Sequence, residues 1–387
     1  MITSKSGGLD DLALIPPMKI FHCDHCPQLV FFENVHCLGC NHALAYLPDV
    51  ADIGSLEPAG DGLWKTLAPG AEQQTYRLCE NYTAHNVCNW AVLADDPHTL
   101  CQSCRLTQVI PDLGQPGNQQ AWYRLEVAKR RLVYSLMMLG LPLLNKDDDP
   151  EHGLAFELLA DSQEPDAKPV LTGHAGGVIT INIAEADDAE REKRRVAMHE
   201  PYRTLLGHFR HEVGHYYWDR LISGTERLAA FREQFGDEQA DYGEALKRHY
   251  EQGPAADWQQ RFISAYAGAH PWEDWAETWA HYLHMTDTLE TASASGLALK
   301  PRRRNEPSLK ADAKLLERGS FDCMIDAWFP ITYLLNNINR GLGLPDGYPF
   351  VLSPPVIDKL RFIHETVLEA GQRDKPAAKS WLSRLGW

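Results

Sequence analysis

No apolar run in the 387 residues approaches the ~18 positions needed to cross a bilayer as a helix, so no membrane partner is expected. The stretch from Met1 to Pro17 lacks the basic segment followed by an apolar core that marks a secretion signal, and a cytoplasmic location is expected. Positive charge is scarce as well. The formal net charge is −16, and between Lys19 and Asp112 four Lys/Arg stand against eleven Asp/Glu. A groove for DNA or RNA needs the opposite sign, so no nucleic-acid partner is expected. Cysteine is nearly missing from the C-terminal two thirds: eight of the nine lie between Cys23 and Cys104, and Cys323 is expected to be a buried thiol. With no sign of an oxidising compartment, a disulfide framework is not expected either. Apart from two loosely similar cysteine sets, no internal repeat is visible.

What the cysteines do have is metal-ligand spacing. Cys23 and Cys26 form one Cys-x-x-Cys knuckle, Cys37 and Cys40 a second, and Leu29 to Phe32 between them reads as a strand turning at Glu33-Asn34. Four thiolates so placed close a tetrahedral structural zinc site. Cys79, Cys88, Cys101 and Cys104 supply a second set, with Tyr76, Tyr82, Trp90 and Val92 as apolar filling. Zinc in a module of this size replaces a core too small to stand alone, and the acidic surface suits protein contact better than nucleic acid. The turn-rich Pro111 to Asn118 closes the region. The expected organisation is a tail over 1–18, a zinc-ribbon region over 19–115 and a second domain over 116–387.

In that second domain, Ala121 to Leu139 has helical apolar spacing, with Lys129-Arg130-Arg131 expected on a solvated face. Leu154 to Leu159 reads as a buried strand. Ile179, Ile181 and Ile183 alternate with polar residues after a glycine-rich turn, as in a half-buried strand able to edge a cleft. Pro201 suits the first turn of the next helix. Thr291 to Leu309 looks weakly ordered, and helices are expected again over 326–340 and 356–368.

The chemistry centres on His211-Glu212-Val213-Gly214-His215. Histidines four apart on a helix share one face and can grip a single ion, while the glutamate between them reaches a water on that ion. His208 one turn earlier is expected in the core or behind the ligands. A third histidine is missing: Trp218 and Leu221 occupy the positions where a Gly-x-x-His continuation would stand. An acidic ligand from a later helix remains, and Pro271-Trp-Glu-Asp-Trp-Ala-Glu-Thr-Trp-Ala-His281 offers Glu273 and Glu277 on one face. Glu273 is expected as the ligand, with Glu277 the runner-up for that position or the acceptor for the free N–H of a ligand histidine. Tyr266, seven residues earlier, is a candidate donor to an oxyanion, with His270 as the alternative.

These stretches resemble bacterial zinc-binding metallopeptidases that carry an N-terminal zinc ribbon. The resemblance runs from Phe21-His-Cys-Asp-His-Cys26 through Tyr202 to Arg220 and Pro271 to Tyr282, and on through Leu344 to His364. The ligand pattern is more distantly similar to gluzincins. The resemblance implies an α+β chain, with a small β-rich zinc-ribbon region followed by a mainly α zincin-like domain with a small sheet. It implies one catalytic and two structural zinc ions. His211, His215 and Glu273 would be ligands, Glu212 the general base, Tyr266 the electrophile, and a peptide or protein the substrate. The ribbon offers a possible protein partner site. The competing expectation is a catalytically inactive, zinc-stabilised adaptor on the same fold.

Overall fold

The computed structural model describes residues 20–162, 168–197, 203–310 and 320–373. The ribbon region opens with a two-stranded hairpin, β1 (Phe21–His22) and β2 (Leu29–Val30), shorter than the strand expected over Leu29 to Phe32. An antiparallel meander follows: β3 (Ala43–Leu47), β4 (Asp52–Gly60), β5 (Leu63–Thr66), β6 (Thr75–Leu78) and, after the single turn α1 (Glu80–Thr83), β7 (Ala91–Leu93). Ser55 on β4 fastens the first knuckle to this sheet. Its Oγ lies 3.2 Å from Cys23 Sγ and accepts the Asp24 N–H, while its own N–H donates to Asp24 Oδ2.

The second domain contains β8 (Thr107–Val109), α2 (Asn118–Met138), β9 (Ala155–Leu159), β10 (Gly173–Ala175) and β11 (Val178–Asn182). Its helices continue with α3 (Asp188–Ala197), α4 (Leu205–Leu221), α5 (Arg227–Phe235), α6 (Tyr242–Gln252), α7 (Pro271–Ala294), α8 (Phe321–Gly341) and α9 (Pro354–Arg373). The sheet order is β10-β11-β9-β8, parallel in its last two pairings, so β10 is an open edge. The architecture is α+β, as expected. Among the described residues no helix is long and apolar enough to cross a membrane.

The two regions are joined more closely than a linker would allow. β8 precedes the expected boundary in sequence yet pairs with β9. One apolar core runs from Phe21 to Ala370 and includes cysteines of both sets. The expected solvated face of α2 is overturned: Lys129 and Arg130 are 0% and 2% exposed. Lys129 pairs with Glu126 at 2.8 Å, and Arg130 donates to the Val87 carbonyl beside Cys88, Cys101 and Cys104. Buried cations need anionic or strongly polar partners; Glu126 supplies one to Lys129, and Arg130 lies between Glu126 and the cysteine cluster. Only Arg131 behaves as a surface residue, reaching Glu33 across the boundary.

Other expectations shift at element ends. α7 continues to Ala294, past Thr291 where weak order is expected, and α8 begins five residues early at Phe321, capped by Ser320. Cys323, on the first turn of α8, is exposed and not buried, because the buried face of that turn starts at Phe321 and resumes at Met324. The Pro201 expectation lies outside the described residues; α4 starts at Leu205, with the Thr204 side chain accepting the Gly207 N–H.

Glu185 fixes the chain as it enters α4. Its buried carboxylate lies 2.8 Å from Arg194, 3.0 Å from Arg203 and 3.4 Å from His208 Nδ1. His208 therefore turns toward Glu185. Burial alone would raise the Glu185 pKa, but His208 and Arg203 outweigh it and hold the group down to about 2 from 4.5. A depressed carboxylate stabilises the fold above its unfolded pKa and loses that contribution as pH falls through the folded one. Glu185→Gln is thus expected to lower stability by up to about 3 kcal/mol at neutral pH, at ~1.4 kcal/mol per pKa unit. Urea melts of the two proteins should converge as pH drops from about 5 toward 2; a gap that persists would contradict this account.

Candidate metal centre

α4 and α7 cross with almost no space between them, and Gly214 is why. A Cβ there would meet Ala276 Cα at 3.0 Å and Trp279 Cβ at 3.2 Å, so glycine inside the His-Glu-Val-Gly-His motif permits the approach. The Trp275 indole N–H donates to the Gly214 carbonyl at 2.8 Å and pins the contact. α7 starts where it does because Pro271 occupies its first turn and His270 caps it, Nδ1 accepting the Trp272 N–H. Lys359 on α9 holds that turn through Asp274 at 2.6 Å. This close crossing brings Glu273 and Glu277 to the histidines of α4.

The resulting cluster is compact. His211 Nε2 lies 3.2 Å from His215 Nε2 and 3.0 Å from Glu273 Oε2, and His215 Nε2 lies 3.6 Å from the same oxygen. A tetrahedral ion with bonds of about 2.0–2.1 Å spaces its ligand atoms about 3.3 Å apart, so the triangle has the right size for zinc. Glu273 Oε2 is buried and makes no hydrogen bond, an orphaned acceptor that a cation would satisfy. Burial works against a charged imidazole at His211, yet the Glu273 and Glu277 carboxylates raise its pKa well above the ordinary value. The site thus favours positive charge between its carboxylates.

Glu277 lies behind the triangle. Its Oε1 is 2.8 Å from His211 Nδ1, and its Oε2 accepts a hydrogen bond from Ser264 Oγ at 2.6 Å. That bond selects the tautomer in which His211 Nε2 offers its lone pair to the triangle. Of the expected site residues, Glu212 is buried on the same helix, and among the described residues its carboxylate takes no hydrogen bond. Tyr266 stands with its ring 6.0 Å from that of His211. Burial, then Glu273 and Tyr242, push its hydroxyl far above the ordinary tyrosine value, so it stays a proton donor. His270 is already engaged: Nδ1 caps α7 and Nε2 donates to the Ala240 carbonyl.

Three neighbours carried no usable sequence signal. Tyr242, 31 residues before Glu273, donates its hydroxyl to Glu273 Oε1 at 2.6 Å. His174 on the edge strand β10 lies nearly parallel to His215, ring centroids 6.5 Å apart, and burial lowers its pKa to about 4. Trp272 packs on His215 at 4.0 Å. Each arrives through tertiary packing and not through a spacing rule.

The two cysteine sets also come together. Sγ pairs lie 3.5 and 3.6 Å apart in the first set and 3.7 Å apart in the second. Tetrahedral zinc with thiolate bonds of about 2.3 Å calls for about 3.8 Å, slightly more than these separations. Backbone N–H groups of Trp90 and Cys101 point at Cys88 and Cys79 sulfurs, the polarity thiolates require. His25, Cys40 and His42 also gather, but that group shares Cys40 with the first set.

A cysteine-rich ribbon sharing one core with a helical domain, and a His-His-Glu triangle at a helix crossing, define a zinc-binding protein. The chain belongs to the family described as "putative zinc-binding metallo-peptidase", whose model matches residues 118–366, while a zinc-ribbon domain model matches residues 20–115. It is similar to uncharacterized proteins of Mycobacterium bovis and Mycobacterium tuberculosis, 45% identical over 361 residues that span 93% of this chain and 98% of each relative. No solved structure matches.

Proposed function

We propose that the chain is a gluzincin-type zinc peptidase that hydrolyses peptide bonds at the α4–α7 crossing. The observation carrying this reading is the triangle of His211 Nε2, His215 Nε2 and Glu273 Oε2, with edges of 3.0–3.6 Å, on the helix that also carries Glu212. Zinc bound there supplies Lewis acidity, polarising a carbonyl and making water nucleophilic near neutral pH. Glu212 takes the proton of the attacking water and passes it to the leaving amine. Tyr266, protonated throughout the physiological range, donates to the developing oxyanion. Glu277 keeps His211 in its ligand tautomer. The open edge of β10 offers backbone groups to an extended peptide, the addition of one strand to the sheet.

In this reading three zinc ions are bound per chain, one at His211, His215 and Glu273 and one in each cysteine set. Elemental analysis should find about three, with a mild chelator removing one quickly and two slowly, since a closed tetrathiolate shell leaves no open coordination position for the chelator. Peptide-library cleavage should vanish with the first ion and return on zinc addition. Turnover that survives removal of that ion would overturn the peptidase reading.

A further inference from the structure

We propose that Tyr242 is a positioning residue that latches α6 over the metal centre by gripping the ligand Glu273, so that closure of residues 239–259 and orientation of the ligand are one event. This rests on the reading of Glu273 as a ligand. The segment is anchored at both ends; between them the Ala240 carbonyl accepts from His270 Nε2 at 3.0 Å, and the rest is thinly packed. Before it, Glu238 is paired with Arg232 at 2.5 and 2.9 Å; after it, the Gln260 and Arg261 carbonyls accept from Ser353 and Lys359, each at 2.9 Å. Within it, Ala245 is the one buried residue of α6, and residues 251–257 are all exposed. Gly253 follows α6 with φ of 75°, a backbone region other residues avoid, so the C-terminal end of the helix turns where side-chain sterics are least restrictive.

An amphipathic helix of eleven residues with so little buried surface has little hydrophobic reason to stay in place. Beyond the Ala240–His270 bond at its entry, what holds it reaches the centre directly. The Tyr242 hydroxyl donates to Glu273 Oε1 at 2.6 Å, and its ring packs edge-on to His270 and Trp272. One turn from the other end, the His249 ring lies edge-on to Tyr266, 5.8 Å away. Glu273 therefore has two committed oxygens: Oε1 to Tyr242 and Oε2 to the triangle. Lifting α6 removes the donor that fixes the carboxylate rotation, and fixing the carboxylate favours the seated helix. By linkage, zinc affinity and lid closure must reinforce each other equally.

The test uses full-length protein carrying its zinc. Tyr242→Phe keeps the ring and removes only the hydroxyl. Competition with a fluorescent chelator should show the His211-site zinc bound 10–100-fold more weakly, the usual cost of losing a ligand's hydrogen-bond partner. Hydrogen exchange should quicken across residues 239–259 while α4 and α7 keep their protection. In the wild type, adding zinc to chain stripped of that ion should slow exchange in the same segment, a readout independent of how the variant folds. Unchanged zinc affinity in Y242F, or exchange over 239–259 that ignores the ion, overturns the latch. His211→Ala separates this from failure of the centre itself: if wild type and H211A hold the same zinc, the ligand reading falls instead.

Discussion

Glutamine at position 212 is expected to cut peptide hydrolysis by about 10²–10⁴-fold, the range carried by a positioned general base, with zinc content unchanged. The substitution is isosteric and removes only the ability to accept a proton. Glu212 is not among the three atoms of the triangle, and its carboxylate takes no hydrogen bond among the described residues, so the fold loses no partner. His211→Ala should behave differently, losing both the ion and the activity, because it removes one corner of the triangle and strands Glu277. Steady-state turnover, zinc content and melting temperature measured on both variants distinguish the roles. Zinc lost from E212Q would make Glu212 a ligand, and full activity would remove it from the reaction.

The second large effect is expected far from that centre. Cys101→Ser should unfold the whole chain and not the ribbon alone. All four cysteines of the second set are buried, and the same core continues through Trp122, Leu125 and Leu132 of α2 into the helices of the second domain. A structural zinc site is worth an apparent ~10–16 kcal/mol, comparable to the whole ~5–15 kcal/mol stability of an ordinary domain. Losing it would also leave Arg130 buried beside a site stripped of its charge balance. Cys40→Ser should be milder, because Cys26 and Cys40 face partly outward and the first knuckle is also held by Ser55. The measurement is the thermal melt followed at a tryptophan in each region: C101S should show no cooperative transition, whereas C40S should keep a lowered one. A wild-type melt from C101S would show that the two regions fold separately.

Part of the site is legible in the sequence, because it depends on near neighbours along the chain. The knuckles Cys23/Cys26 and Cys37/Cys40 each enclose two residues, His211 and His215 stand one helical turn apart, and Glu273 and Glu277 likewise; in each case local geometry alone puts the groups on one face. The same reasoning fails at Lys129-Arg130, where charge implies solvent. Composition carries no record of the Val87 carbonyl and the cysteine cluster arriving around a buried guanidinium. It fails at Cys323 for the converse reason, since apolar character does not say which side of a helical turn meets the core.

The cysteine knuckles, the helices α2, α4 and α7, the strand after the glycine-rich turn and the split of composition into a cysteine-rich part and a helical part were legible in the sequence alone, through spacing and periodicity that act over a few residues. Tertiary structure decided how Glu273 and Glu277 reach His211 and His215 across about sixty residues, and it did so by the absence of a side chain at Gly214. It also decided that Tyr242, exposed on a marginal helix, ends on the Glu273 carboxylate. Such contacts depend on which helices pack and how closely, and that is a property of the whole core, which no local pattern encodes.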